Sequence, residues 1–176
     1  METSIKSSAI NYGLYLGGLL TLATVLAYAV NLELYTKWWY GIGLMLIIIV
    51  FGIVSTIKSK KILEGFISFK EAFSSYFTTI AIGIIISTIV GIVIFNIIDP
   101  EAAVTLQEKI IDSTVQMMRN FGAPEDAVAE AVEKMEAEEN MFSIGNTLWG
   151  LAKQLIGFSV VGLIVALIMK KSDQNA

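Results

Sequence analysis

Few residues in this chain have the chemistry for catalysis or for holding a ligand. Histidine and cysteine are absent from its 176 positions. That removes the commonest transition-metal ligands, thiol nucleophiles and the one side chain that titrates near neutrality unaided. Glu133, Glu136, Glu138 and Glu139 crowd one stretch, and hard carboxylate oxygens suit a divalent cation. No Asp-x-Asp-x-Asp-Gly loop folds them around an ion, so they read as a solvated helix face. Lys153 falls within an apolar run, where a charge is a functional suspect by default. Counted back from Met169 it lies about 24 Å from the inner boundary of a ~30 Å hydrocarbon core, so its stem can carry the ammonium outward to water. Asn96 and Asn146 are weaker cases of the same kind. Ser68-Phe69-Lys70-Glu71 has the S-x-x-E form of a capping box, and its place at the edge of an apolar run favours a helix start over a proton or substrate gate. With no phosphate-binding loop, nucleophile elbow or nucleic-acid signature, no catalytic, metal or cofactor site is assigned and no enzymatic activity is expected.

The elements that carry these residues are apolar. Hydrophobic residues make up 55% of the chain against 16% charged, and the mean hydropathy is +0.71. Soluble domains sit nearer one half and one quarter, so the surplus must face lipid. Four stretches are long enough to span a bilayer, at about 10–30, 38–57, 73–98 and 144–169. The third contains fifteen Ile, Val or Phe residues and no charge, which favours insertion by roughly 4–9 kcal/mol before its polar residues are counted. It lacks period-2 alternation and is too long for a strand. For the first stretch two readings stand. Lys6, an apolar run and Ala27-Tyr28-Ala29 have the form of a cleavable leader, but the run exceeds the usual ~7–15-residue core and favours a retained span.

Lysines orient the spans. Lys58, Lys60, Lys61 and Lys70 lie between the second and third, Lys170 and Lys171 follow the fourth, and Lys6 precedes the first. All belong in the cytoplasm of a bacterial cell, with the inner membrane as the expected location. Residues 99–140 hold eleven acids and three bases, a balance of -8, and are expected outside. Tyr35, Trp38, Trp39, Tyr40 and Trp149 suit an outer aromatic belt, and Tyr12, Tyr15 and Tyr76 an inner one.

The segment 99–140 reads as a helical hairpin. Leu106, Ile110, Ile111, Met117, Met118 and Phe121 share one face of a helix that opens at Pro100 and stops at Gly122. A second helix from Pro124 offers the narrower stripe Val128, Ala131, Val132 and Met135. The first face is expected to pack on that stripe and on the membrane surface. Its surplus makes Leu106, Ile110, Met117, Met118 and Phe121 a candidate interaction face for a second copy or a membrane-protein partner. Within the spans, Gly13 and Gly17, and Gly83, Ser87 and Gly91, recur at every fourth position. Such spacing lets helix backbones approach closely where no hydrophobic effect joins them.

The run Glu64-Gly65-Phe66-Ile67-Ser68-Phe69-Lys70-Glu71-Ala72-Phe73 before the third span, Asp99-Pro100-Glu101 after it, a helical insert and a Lys-Lys ending to the fourth resemble the domain-of-unknown-function 4199 family. These are small bacterial membrane proteins, mostly of Bacteroidota. The resemblance covers nearly the whole chain and implies four spans with an insert between the third and fourth; it implies no activity or site residues. The fold class expected is an all-α membrane protein of four transmembrane helices with an extramembrane helical hairpin. Its function is expected to be non-enzymatic interaction or envelope scaffolding, the alternative being a component of a transporter or a small homo-oligomeric carrier.

Overall fold

Apolar runs in a medium without water must satisfy every backbone amide internally, and the helix does so within one segment. The computed structural model describes residues 2–137 and 140–171. Among the described residues the regular structure is helical apart from one isolated bridge. Helix α1 (Glu2–Val30) leads through a 3-10 turn (Leu32–Thr36) to α2 (Trp38–Ile62). Helix α3 (Phe69–Val93) widens into a π-helical turn (Ile94–Ile98). Then come α4 (Pro100–Asn120), α5 (Glu125–Ala137) and α6 (Ile144–Met169). Helices α1, α2, α6 and the continuous α3 with its π turn are long and apolar enough to cross a membrane, and the chain is a multi-pass membrane protein.

Local chemistry sets the boundaries. The capping box is complete: Ser68 Oγ accepts from the Glu71 amide, and the Glu71 carboxylate accepts from the Ser68 amide at 2.8 Å. Helix α3 therefore starts at Phe69, ahead of the apolar run. Asp99 caps α4 by accepting from the Ala102 amide, with Pro100 in the first turn. At its other end Gly122 takes a left-handed φ of 75°, and the Ala123 amide reaches back to Met118 O. This is a Schellman closure. Helix α2 ends in the same way, but there Glu64 occupies the left-handed position at φ 56°.

Helix α3 is the centre of the bundle and packs on all three other spans. Ala9 meets Thr79, Gly13 meets Ile82 and Gly17 meets Ile86, so α1 and α3 run parallel. Gly52 and Gly162 both meet Tyr76, while Ser59 reaches Ser75 and Ala166 packs near Ala72, so α2 and α6 run antiparallel to α3. The seven lysines at positions 6, 58, 60, 61, 70, 170 and 171 consequently lie at one end. At that basic end Ile67 and Lys171 exchange backbone hydrogen bonds of 3.0 and 2.9 Å, and Lys60 Nζ donates to Met169 O.

The opposite, acidic end carries α4 and α5. Ala102, Ala103 and Leu106 are buried against Ile94 and Phe95 of the π turn, with Tyr28, Leu32 and Tyr35 around them. The stripe was expected on the second helix and the membrane surface; α4 does pack on α5, which contributes one buried residue, Val128, but its own buried residues meet the π turn. The cause is composition: the end of α3 offers Ile and Phe where α5 offers mostly Ala and Glu. Past Gly122, Arg119 donates from Nε and Nη2 to both carboxylate oxygens of Glu125, which holds that carboxyl below its ordinary range.

A candidate ligand cavity between the spans

The spans are held together in two different ways along their length. In the half nearer the basic end, small residues bring backbones into contact. A Cβ added at Gly13 or Gly17 would lie 2.8 Å from Ile82 or Ile86, and one added at Gly83 would lie 2.6 Å from Leu16. These three candidates are true close approaches, sustained by dispersion where lipid is as apolar as the helices. Beside them Ser59, Ser75, Ser55 and Thr79 form a buried hydroxyl chain that ends on Ala9 O, with links of 2.7, 3.2, 2.7 and 3.0 Å. Each hydroxyl has one proton, and the terminal carbonyl only accepts. Thr79 is the donor toward both Ser55 Oγ and Ala9 O, so its one proton serves the two in alternation, while either partner can donate in the Ser59–Ser75 and Ser55–Ser75 links.

Tyr76 closes this packed half. Its ring fills the notches left by Gly52 of α2 and Gly162 of α6, where an added Cβ would stand 2.5 and 2.7 Å from ring carbons. The side chain is fully buried and its hydroxyl has no partner among the described residues. It is thus not a residue of an interfacial belt, as its spacing suggested: two glycines on neighbouring helices make room for it in the core. Neither notch was identified from sequence, although Ala166 stands four positions after Gly162 and Thr56 four after Gly52.

Beyond Tyr76 the helices part around a cavity of about 850 Å³. Its inner wall is the buried set Leu20, Ile48, Ile84 and Phe158, and Phe95, Tyr35 and Phe142 stand at the acidic end. Gly91 lies here, and an added Cβ would meet nothing within 4 Å. Its assignment to a close-packed face is corrected: α3 turns this glycine toward open space, not toward a helix. Gly41 of α2 and Gly157 of α6 also line the cavity and are equally free. Ser87 bridges the two classes, lining the cavity and pairing with Thr24 of α1 at 3.3 Å.

The lining has no acid and no amine. Its polar groups are Thr24, Tyr35, Ser87, Thr88, Thr147 and Gln154. Tyr35 donates to Thr24 O, and burial pushes its phenol up to about 12. Thr147 donates to Phe142 O. Gln154 and Thr88 make no hydrogen bond among the described residues. Neither was singled out from sequence, although a glutamine eleven residues into an apolar helix is a legible signal.

The remaining candidates lie elsewhere. Lys153 is exposed, its ammonium 5.5 Å from the Trp149 ring centroid, and no acid pairs with it among the described residues. Asn96 ties the π turn to the entry of α6 by donating to Phe142 O, and Asn146 donates to Asn140 O. Tyr40, with Tyr35, turns inward to donate to α1, while Trp38, Trp39 and Trp149 are exposed. On the α4 face Leu106 is buried and Ile110 and Met118 are half-buried, whereas Met117 and Phe121 are exposed. Glu133 and Glu136 lie on α5; Glu138 and Glu139 lie outside the described residues.

A family model described as a protein of unknown function (DUF4199) matches residues 11–171. No curated protein and no solved structure matches the chain.

Proposed function

We infer that the chain, which belongs to the DUF4199 family of proteins of unknown function, is a non-enzymatic protein of the bacterial inner membrane that holds an apolar guest between its spans. In this reading both termini and the basic end face the cytoplasm, and α4 and α5 form a helical hairpin outside. The observation that carries it is the cavity onto which Gly41, Gly91 and Gly157 open. Its volume lies in the ~300–1,000 Å³ range of small-molecule sites, which are likewise mostly apolar with a few placed polar groups. Glycine in mid-helix costs roughly 0.5–1 kcal/mol relative to alanine. At Gly13, Gly17, Gly52, Gly83 and Gly162 close contact offsets that cost; Gly91 and Gly157 lie within their helices without such contact and face the cavity. Lining groups that donate and accept, with none positioned as an acid-base pair, support binding over chemistry.

The test is purification in a mild detergent followed by extraction of what stays bound. Wild type should carry a hydrophobic compound at defined stoichiometry, and Gly91→Phe, which fills the cavity, should lose it with the melting temperature kept. Equal retention by the variant overturns the reading.

A second reading has its own observation. Met117 and Phe121, at 53% and 86% exposure, continue the α4 face past the part that packs on the π turn. They suit a protein contact, with a membrane-protein partner or a second copy, and they support the scaffolding role. Replacing both with glutamate should leave stability unchanged and abolish any self-association seen in detergent or co-purifying protein; unchanged association removes this reading.

A further inference from the structure

The guest's chemical class and route follow from the mouth of the cavity, and this step rests on the reading above. The walls are unequal. Leu20, Ile48, Ile84, Phe95 and Phe158 are buried, whereas the exposed lining residues are Gly41 and Met45 of α2 and Gln154 and Gly157 of α6. The mouth is therefore lateral, between two membrane-spanning helices, where the surrounding medium is lipid chain. Gln154 stands at this mouth. An amide in hydrocarbon without a hydrogen-bond partner is disfavoured by several kcal/mol, and it has none among the described residues.

Depth and direction identify what it meets. Trp149, exposed one turn and a residue earlier, belongs at the level where tryptophans anchor. Gln154 is five residues further in, about 7.5 Å. Side chains on a helix lean toward its N-terminus, which for α6 is the acidic end, so the amide reaches back toward the top of the chain region. The acceptors at that depth in a bilayer are the ester carbonyls of acyl lipids. Charge argues against an anionic guest inside the cavity: its lining has no cation for a phosphate or a carboxylate, the ammonium of the neighbouring Lys153 lying over Trp149 instead, and residues 99–140 above carry a balance of -8.

We propose that the cavity takes one acyl chain of a zwitterionic diacyl lipid, entering sideways between α2 and α6 from the leaflet at the acidic end, with Gln154 donating to its ester carbonyl. Gly41 and Gly157 leave the gate open, and Gly91 leaves room for the chain against α3.

The experiment reconstitutes the full chain in phosphatidylcholine vesicles doped with a phosphatidylcholine that carries a diazirine on its acyl chain, in ester-linked and ether-linked forms. After irradiation, wild type should yield ester-lipid adducts on the α2 segment around Met45 and the α6 segment around Gly157. Gln154→Leu should lower their yield about fivefold, the effect of one hydrogen bond of ~1 kcal/mol. The ether lipid, which lacks the carbonyl, should label wild type about fivefold less and be insensitive to Gln154→Leu. Ile168→Phe, on the exposed surface near the basic end, should label as wild type.

Equal labelling of wild type by the two lipids, or an ester signal indifferent to Gln154→Leu, overturns the ester proposal. If at the same time Gly91→Phe still removes the label, the cavity remains a lipid-chain site; if Gly91→Phe labels as wild type, the guest reading falls with it. Loss of label in Gly91→Phe together with loss of its helical melting transition is resolved by Gly157→Leu, which fills the mouth from an exposed position and must reproduce the loss for the proposal to stand.

Discussion

Tyr76 shows how a single side chain can be both well packed and uneasy. Its ring locks into two glycine notches, yet its hydroxyl is buried without a partner among the described residues. Tyr76→Phe keeps the ring and removes the unsatisfied group, so it should stabilise the protein by about 1 kcal/mol, read as a higher melting temperature in detergent. Thr79 is the opposite case. Thr79→Val keeps the shape but removes the hydroxyl that donates to Ser55 Oγ and Ala9 O, and should cost about 1–2 kcal/mol; Thr79→Ser should recover most of that in the same melt. Neither role was legible in sequence. The spans are apolar on every side, so no periodicity tells which face of α3 is inward, and Tyr76 read as a belt residue because tyrosines near helix ends usually are. Gln154 and Lys153 differ in the same hidden way: adjacent in sequence, one opens on the cavity and the other reaches Trp149.

Helix ends were far easier to read than helix faces. Ser68, Pro100 and Gly122 act through their own backbone neighbourhood, so the capping box and the limits of α4 could be found from local spacing alone. Small residues at every fourth position mark a face without saying what stands opposite, and that is why Gly83 and Gly91 looked alike. They should respond differently to the same change. Gly83→Leu forces a side chain into Leu16 and should destabilise the bundle by about 1–3 kcal/mol or more; Gly91→Leu should leave the melting temperature within error of wild type. Equal destabilisation by the two would show that the gap at Gly91 closes in the membrane. Of the α4 stripe Leu106 is buried and Met117 and Phe121 are exposed, because composition ranks apolar faces but tertiary packing chooses which part of a face is covered.

At the scale of the whole molecule the segregation of charge was the plainest message of the sequence, and the bundle gathers the seven flanking lysines at one end. The topology proposed from it is checked with reporter fusions: one at Lys61 should read cytoplasmic and one at Ala123 external, and a cytoplasmic signal at Ala123 would invert the assignment. The cavity was not legible at all, since it arises from helices diverging beyond Tyr76, a property of four segments at once.

The backbone bridge between Ile67 and Lys171 also has a bearing on how the protein is made. Its two halves are separated by about a hundred residues, so at ~5–20 residues per second a ribosome completes the second roughly 5–20 s after the first. Throughout that interval the α2–α3 loop offers an unmet amide and carbonyl, and even once α3 has been made the wall that α6 supplies is missing. Assembly is therefore finished from the tail, and a nascent chain stalled before its last span presents both an open backbone edge and an uncovered apolar groove, the features by which membrane quality control can distinguish an unfinished protein from a mature one.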